Sequence, residues 1–103
     1  MADIGPGLGV SMRIDLFLWF ARLARKRSDA QALAESGRLR LDGRRIERAH
    51  VPVRIGSVIG FVQGGRVRVL RVVALPVRRG PPSEAATMYV DLANPVDELE
   101  ARA

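Results

Sequence analysis

Apolar residues recur at helical spacing in two stretches near the start of the chain. In the first stretch they fall at i, i+3, i+4 and i+7, which places them on one face of a helix. These residues are Ile14, Phe17, Leu18 and Ala21. The pattern predicts a helix over Arg13–Ala24, with Asp15 near its start, where a carboxylate favours the helix dipole. The three consecutive cations of Arg25–Arg27 then close this helix.

The second stretch is marked as a helix at both ends. Ser28 and Gln31 have the spacing of a capping box, in which the serine accepts from a first-turn N–H and the glutamine reaches back. A short apolar stripe follows, made of Ala30, Leu33 and Ala34. Gly37 stands where a left-handed helix stop is required. The sequence therefore predicts a helix that begins at Ser28 and stops at Gly37.

Beyond Gly37 the pattern changes to the alternation that is typical of strands. Arg38–Leu41 alternates polar and apolar residues, and Asp42-Gly43 is a tight-turn dipeptide that tolerates positive φ. Arg44–Ile46 starts the returning strand. His50–Pro52 interrupts that strand, because proline lacks the N–H that a ladder needs.

Two longer runs complete the predicted sheet. Val58–Val62 and the β-branched Val67–Leu75 are separated by a turn at Gln63–Arg66, and Pro76 ends the second strand. Ser83-Glu84 then begins a short helix that extends through Tyr89. The predicted fold class is therefore α+β, with two N-terminal helices, a small antiparallel sheet and a short C-terminal helix.

The expected organisation is one compact domain with two extensions. At 103 residues the chain is long enough for one domain and too short for two. We expect a flexible leader over residues 1–11, the domain over 12–75 and a C-terminal extension over 76–103. The extension holds the short helix and an acidic tail, which we expect to be frayed from Asn94 onward.

The net charge of +6 conceals a sharper asymmetry along the chain. Arg13–Gly80 carries 16 Lys/Arg against five Asp/Glu, a net charge of +11. Pro81–Ala103 carries a net charge of −4, and Asp3 accounts for the remaining −1. All but one of the cations are arginine, whose planar fork suits bidentate phosphate contacts. This segregation of charge is typical of a domain that binds a polyanion.

The cations collect in three neighbouring segments. The first two are the end of the first helix and the start of the second, where free N–H groups add to the positive charge. The third is the strand and turn that follow. Together these segments comprise Arg22, Arg25, Lys26, Arg27, Ser28, Arg38, Arg40, Arg44 and Arg45. The alternative is that these arginines only solvate the surface, but such surfaces usually mix both signs of charge.

Trp19 has two interpretations. It lies at i, i+3 and i+7 with Arg22 and Lys26, so it is a possible base-stacking residue at the margin of the basic face. The alternative is a packing role, which is usual for a large aromatic residue in a small domain.

The residues for catalysis or metal binding do not converge. The chain has no cysteine, and its one histidine, His50, has no partner at the spacing of a metal site or catalytic triad. No Gly-Lys-Ser/Thr follows Gly64-Gly65, so that pair indicates a turn. The apolar run in Ile14–Leu23 is broken by charges and is too short to span a bilayer. We therefore expect no enzyme, metal, cofactor or membrane partner, and a cytoplasmic location.

Taken in order, these motifs resemble a known family. Arg13–Trp19, then Arg-Ser-x-Ala-Gln from Arg27, then Gly37 followed by Asp42-Gly43 resemble the S4 RNA-binding domain, named after small-subunit ribosomal protein four. Two further segments, Trp19–Arg22 and Arg-Gly-Pro-x-x-Glu-Ala-x-x-x-Tyr from Arg79, are similar to the ribosome-associated heat-shock protein fifteen group. The turn is Asp-Gly where the domain often has Asn-Gly, and the tail is acidic where some relatives carry a basic extension.

The resemblance implies two helices packed on a small twisted sheet, and a non-catalytic protein that binds structured RNA. The implied partner is ribosomal RNA, or a large ribosomal subunit carrying tRNA linked to a nascent chain. DNA binding is a further possibility, and the expected state is a monomer. The RNA-facing positions carried over by the resemblance are Arg13, Arg22, Arg25, Lys26, Arg27, Ser28, Gln31, Arg38, Arg40, Gly43, Arg44 and Arg45.

Two alternatives to this interpretation remain open. One is a protein-interaction adaptor or dimer whose acidic tail masks the basic face. The other is a detached RNA-targeting domain of an RNA-modifying enzyme, which would need a second polypeptide for catalysis.

Overall fold

The structure, a computed structural model, describes residues 10–92. Its α-helices are α1 (Ile14–Phe20), α2 (Arg27–Glu35) and α3 (Pro82–Ala85), and α3 continues as a 3-10 helix over Ala86–Met88. The strands are β1 (Met12–Arg13), β2 (Leu39–Leu41), β3 (Arg44–Ile46), β4 (Pro52–Val53), β5 (Val58–Gln63), β6 (Arg66–Val72) and β7 (Tyr89–Asp91). The predicted α+β class is confirmed.

The strands form two antiparallel sheets. β1 pairs with β4, and the other five strands form one sheet in the order β3-β2-β5-β6-β7. The inner face of the larger sheet packs on the helices, because Leu39, Ile59 and Leu70 are fully buried there with Phe17 of α1 and Ala30 of α2. This single core holds both helices at a defined place on the sheet.

The opposite face of the five-stranded sheet, here called the outer sheet face, is more exposed. Side chains alternate between the faces of a strand, and directly opposed residues share a face. The register therefore places Arg40, Arg45, Gly60, Val62, Val67 and Val69 on the outer sheet face. Val62 and Val67 are 60% and 63% exposed.

The first helix begins later and ends sooner than predicted. At its start, the Arg13 backbone is extended (φ −59°, ψ 140°) and pairs with Pro52 across β1 and β4. At its end, the N–H of Leu23 donates to Leu18 O over 2.9 Å and the N–H of Arg22 donates to Trp19 O over 3.1 Å. These two bonds form a Schellman motif, which stops α1 at Phe20. Residues 21–26, here called the α1–α2 linker, are consequently not helical.

The second helix is present, but the predicted capping box is wrong. α2 begins at Arg27, its N-cap is Lys26, and no side chain caps it. Ser28 therefore lies inside the first turn. Burial of Ala30 and Ala34 against the core sets the helix register, so packing overrides the local capping pattern. The predicted stop at Gly37 is confirmed, since its φ of 80° is in the left-handed region.

The β2–β3 turn agrees with the sequence pattern. Asp42 and Gly43 both have positive φ, 53° and 84°, as a type I′ turn requires. The Asp42 carboxylate also accepts a hydrogen bond from the N–H of Val58 over 2.9 Å, which joins the turn to β5. The interruption at Pro52 is present too, because β3 ends at Ile46 and Pro52 starts the short β4.

The end of the sheet differs from the prediction. β6 stops at Val72 instead of Leu75, because the N–H groups of Val73 and Ala74 donate to Met88 O. The predicted helix through Tyr89 ends earlier, and Tyr89 opens β7, a strand that the pattern did not predict. Most of the predicted leader (residues 1–9) and the expected frayed end from Asn94 lie outside the described residues.

Candidate nucleic-acid interface

The first group of cations lies where the α1–α2 linker enters α2. Arg25, Lys26, Arg27 and Ser28 are consecutive, and all four are exposed. The first turn of a helix has backbone N–H groups without intrahelical acceptors, and no side chain caps them here. Cationic side chains and free N–H donors therefore occur together at this position, here called the α2 N-terminal cluster.

The second group, here called the sheet cluster, consists of Arg38, Arg40 and Arg45, all exposed. Arg40 and Arg45 are direct cross-strand partners, a like-charge arrangement that destabilises a sheet. Arg45 Nη2 donates to Glu47 over 2.9 Å, in a pair too exposed to stabilise the fold much. Arg38 and Arg40 also line an open depression of about 220 Å³ that extends onto the outer sheet face.

The two clusters lie at opposite ends of α2. α2 itself has nine residues, a rise of about 13 Å, with the N-terminal cluster at its first turn and the Gly37 stop that precedes Arg38 just beyond its end. The structure thus divides the three predicted cationic segments between the two ends of α2.

The other predicted positions lie close to one cluster or the other. Gln31 is half-buried on α2, one turn after Ser28. Gly43 and Arg44 are exposed at the β2–β3 turn. Arg44 is opposite Leu41 and not opposite Arg40. Its side chain therefore projects from the face of β3 opposite to that of the sheet cluster.

Arg13 has a structural role that the sequence did not indicate. Its Nε and Nη2 donate to the two carboxylate oxygens of Asp15 over 3.0 and 2.8 Å. The Asp15 side chain is fully buried, whereas that of Arg13 is 46% exposed. Hydrogen bonding to Asp15, together with its negative charge, raises the pKa of Arg13 above the ordinary arginine value. The guanidinium is thus fixed at the start of α1.

Arg22 is also held internally. Its Nε donates to Gly80 O over 2.6 Å, which joins the α1–α2 linker to the segment that follows β6. Arg79, on that segment, donates to Trp19 O over 3.1 Å and to Arg25 O over 3.3 Å. Sequence reasoning missed Arg79 because its partners are 54 and 60 residues away.

Trp19 is half-buried beside the core, in agreement with the packing interpretation. Its ring centroid lies 5.6 Å from that of Phe20, and the Arg79 guanidinium lies over the ring at 5.8 Å. A stacking contact with an RNA base therefore remains a prediction, at a ring that Arg79 already covers in part.

Between residues 10 and 92, no three His, Cys, Asp or Glu side chains come together as a metal site would require. In the same part of the chain, no helix has both the length and the apolar character needed to cross a membrane.

Comparison with known proteins identifies the family. Residues 12–59 match the S4 domain family. Heat shock protein 15 of Escherichia coli strain K12 is 32% identical over 94 residues, which cover 91% of this chain and 70% of that protein. The heat shock protein 15 homolog of Haemophilus influenzae is 29% identical over 89 residues, which cover 86% and 67%.

A solved structure has the same fold. It is described as the trimeric structure of Vibrio cholerae heat shock protein 15, and it superposes with a TM-score of 0.78 at 28% identity. The match covers 91% of this chain and 94% of the Vibrio chain. The chain therefore belongs to the heat shock protein 15 family of S4-domain proteins.

Proposed function

We propose that this protein binds structured RNA without catalysing a reaction, and that the α2 N-terminal cluster and the sheet cluster contact the phosphates. One observation carries the proposal. Within residues 10–92, the exposed cations Arg25, Lys26, Arg27, Arg38 and Arg40 form no ion pair. Cations that only solvate the surface gain nothing from lacking acidic partners, whereas a bound polyanion would neutralise their charge.

RNA is the favoured polyanion because the cations lie on an S4 domain. The S4 match covers both clusters, since it extends from residue 12 to residue 59. The proposed target is ribosomal RNA in the cytoplasm, on a large ribosomal subunit that carries tRNA linked to a nascent chain. In this role the protein would act in stalled-ribosome rescue or in the heat-shock response.

Salt dependence tests the phosphate contacts. Engagement of about four to six phosphates gives a plot of log affinity against log salt with a slope of about −3 to −5. Arg25→Ala should lower the affinity and flatten this slope. Arg54→Ala is the matched control, because Arg54 is an exposed arginine away from the α2 N-terminal cluster. It precedes the start of β5, whereas the α1–α2 linker is contacted by Gln63 at the end of β5. Equal losses for the two variants would contradict the proposed site.

The identity of the polyanion needs a separate experiment. Crosslinking in cells, followed by sequencing of the bound RNA, should enrich large-subunit ribosomal RNA and tRNA. A parallel titration with RNA and DNA duplexes of the same sequence tests whether the 2′-hydroxyl groups are recognised. Equal affinity for the two duplexes would support general nucleic-acid binding instead.

The oligomeric state is tested by sedimentation with and without RNA. The sequence predicts a monomer, whereas the related Vibrio cholerae structure is described as trimeric. A concentration-independent mass of one chain supports the monomer, and a mass of three chains supports the arrangement of the relative.

A further inference from the structure

Arg22 occupies a backbone conformation that arginine rarely adopts. Its φ is 60°, at the position of the Schellman motif where glycine is usual. A side chain in the left-handed region is strained, so glycine would end α1 at lower energy. What arginine provides here is its side chain, which donates from Nε to Gly80 O. The strained backbone at Arg22 therefore indicates that the contact between the α1–α2 linker and residues 78–80 has a function.

That contact is reciprocal. Arg22 reaches from the linker to Gly80, and Arg79 reaches back to the carbonyls of Trp19 and Arg25. The Arg79 guanidinium also covers the Trp19 ring, which adds a cation–π attraction. A fourth bond comes from the sheet, where Gln63 Nε2 donates to Leu23 O over 2.9 Å. These donors lie outside the matched S4 region of residues 12–59, apart from Arg22.

Two of the restrained carbonyls, those of Leu23 and Arg25, belong to the α1–α2 linker, which leads into the α2 N-terminal cluster. Arg25, whose backbone carbonyl accepts from Arg79, is the first residue of the α2 N-terminal cluster. Its own side chain is exposed. Fixing the backbone lowers the entropy that the cluster loses when it meets a phosphate, while the side chains remain available.

We propose that Arg79 is a positioning residue for RNA binding. It holds the α1–α2 linker so that the α2 N-terminal cluster meets the RNA in a fixed arrangement, and it makes no phosphate contact itself. This inference rests on the proposed RNA-binding function, and it extends the binding unit beyond the S4 domain to the segment after β6.

The test compares two adjacent arginines. Arg79→Ala should weaken RNA binding about fivefold to tenfold, as expected for the loss of preorganisation. The slope of log affinity against log salt should stay within about 0.3 of the original value, because no phosphate contact is removed. Arg78→Ala removes the same charge from an exposed residue whose described partner is Glu84, so it should leave affinity within about twofold.

Two milder variants keep the proposal testable if Arg79→Ala does not fold. Arg79→Lys keeps the charge but cannot hold both carbonyls with a planar fork, so its affinity should fall between wild type and Arg79→Ala. Gln63→Ala removes the separate bond to Leu23 and should weaken binding in the same direction. Amide hydrogen exchange of residues 22–28 should rise in both Arg79 variants, whereas Arg78→Ala should not change it.

The outcomes separate the two proposals. If Arg25→Ala flattens the salt slope but Arg79→Ala leaves affinity unchanged, the positioning role is wrong and the RNA site stands. If Arg79→Ala flattens the slope by about 0.7 to 0.9, Arg79 contacts a phosphate directly and the positioning role is also wrong. If neither Arg25→Ala nor Arg79→Ala changes binding, the positioning role and the α2 N-terminal site are both wrong. If the unsubstituted protein binds no structured RNA, the proposed function itself fails.

Discussion

The ends of α1 and the ends of α2 use arginine in opposite ways. At the ends of α1, Arg13 and Arg22 are bonded to protein atoms, Arg13 to the buried carboxylate of Asp15 and Arg22 to a backbone carbonyl. At the ends of α2, Arg25 and Arg38 are exposed and form no ion pair within residues 10–92. Arginine therefore stabilises the fold at the ends of α1, and we propose that it binds RNA at the ends of α2.

This difference teaches that charge counts do not identify a binding surface by themselves. A guanidinium that already donates to protein acceptors has fewer donors left for a phosphate, and moving it would cost those bonds. A guanidinium without a protein acceptor keeps its donors for a phosphate. Substitutions in the first region should therefore change stability, and substitutions in the second should change RNA affinity.

The largest expected effect comes from removing the α2 N-terminal cations together. The triple variant Arg25→Ala, Lys26→Ala, Arg27→Ala should lose about 100-fold in RNA affinity at moderate salt, from three exposed charge-assisted contacts. The salt slope should become shallower by about 2 to 3. Titration by fluorescence anisotropy at several salt concentrations measures both quantities. A loss of affinity with an unchanged slope would contradict phosphate contact by these residues.

The next effect concerns the anchored region. Asp15→Ala removes the buried acceptor of Arg13 and should lower the free energy of unfolding by about 1–3 kcal/mol. The loss is moderated because the Arg13 guanidinium is partly exposed and can turn to water. Urea unfolding measures it. Glu47→Ala breaks an exposed arginine pair and is the control, with a change under about 0.5 kcal/mol. Similar changes for the two variants would contradict the distinction between the regions.

A third variant should separate stability from binding within one residue. Arg40→Thr removes the like charge opposite Arg45 and introduces a β-branched residue into β2. Stability should therefore rise by a few tenths of a kcal/mol, while RNA affinity falls about threefold to tenfold. Thermal unfolding and RNA titration of the same preparation check the two signs. If both quantities fall, Arg40 belongs with the arginines that serve the fold.

The smallest expected effect tests the acidic tail. Truncation after Leu92 removes Asp97, Glu98 and Glu100 together with Arg102, and it preserves β7. Loss of this net negative charge should raise RNA affinity less than about threefold, and less still at high salt. An increase above tenfold, or a change in the oligomeric state seen by sedimentation, would favour the alternative in which the tail masks the basic face.

Local features were predictable where one or two residues determine the backbone. Gly37 and Asp42-Gly43 adopt the left-handed conformations that their residue types favour, so the end of α2 and the β2–β3 turn agree with the pattern. The S4 resemblance placed the helices and the sheet in the right order. Arg22 has the same left-handed backbone conformation, but its residue type does not predict it.

The remaining features depend on distant residues. The start of α2 follows from burial of Ala30 and Ala34, and not from the capping pattern at Ser28. β7 exists because Tyr89–Asp91 pairs with β6, and three residues are too few for a periodic signal. The role of Arg79 depends on partners more than 50 positions away.

The length of α2 has a consequence for the kind of RNA that this protein can distinguish. Because a helix is stiff, α2 acts as a spacer of nine residues, a rise of about 13 Å, between the cluster at its first turn and the sheet cluster that follows its end. An RNA whose fold already holds two phosphates at the spacing of the two clusters would bind without being reorganised, whereas a flexible strand must first be ordered. The protein would then select RNA by the spacing of its phosphates, a property that carries no base sequence.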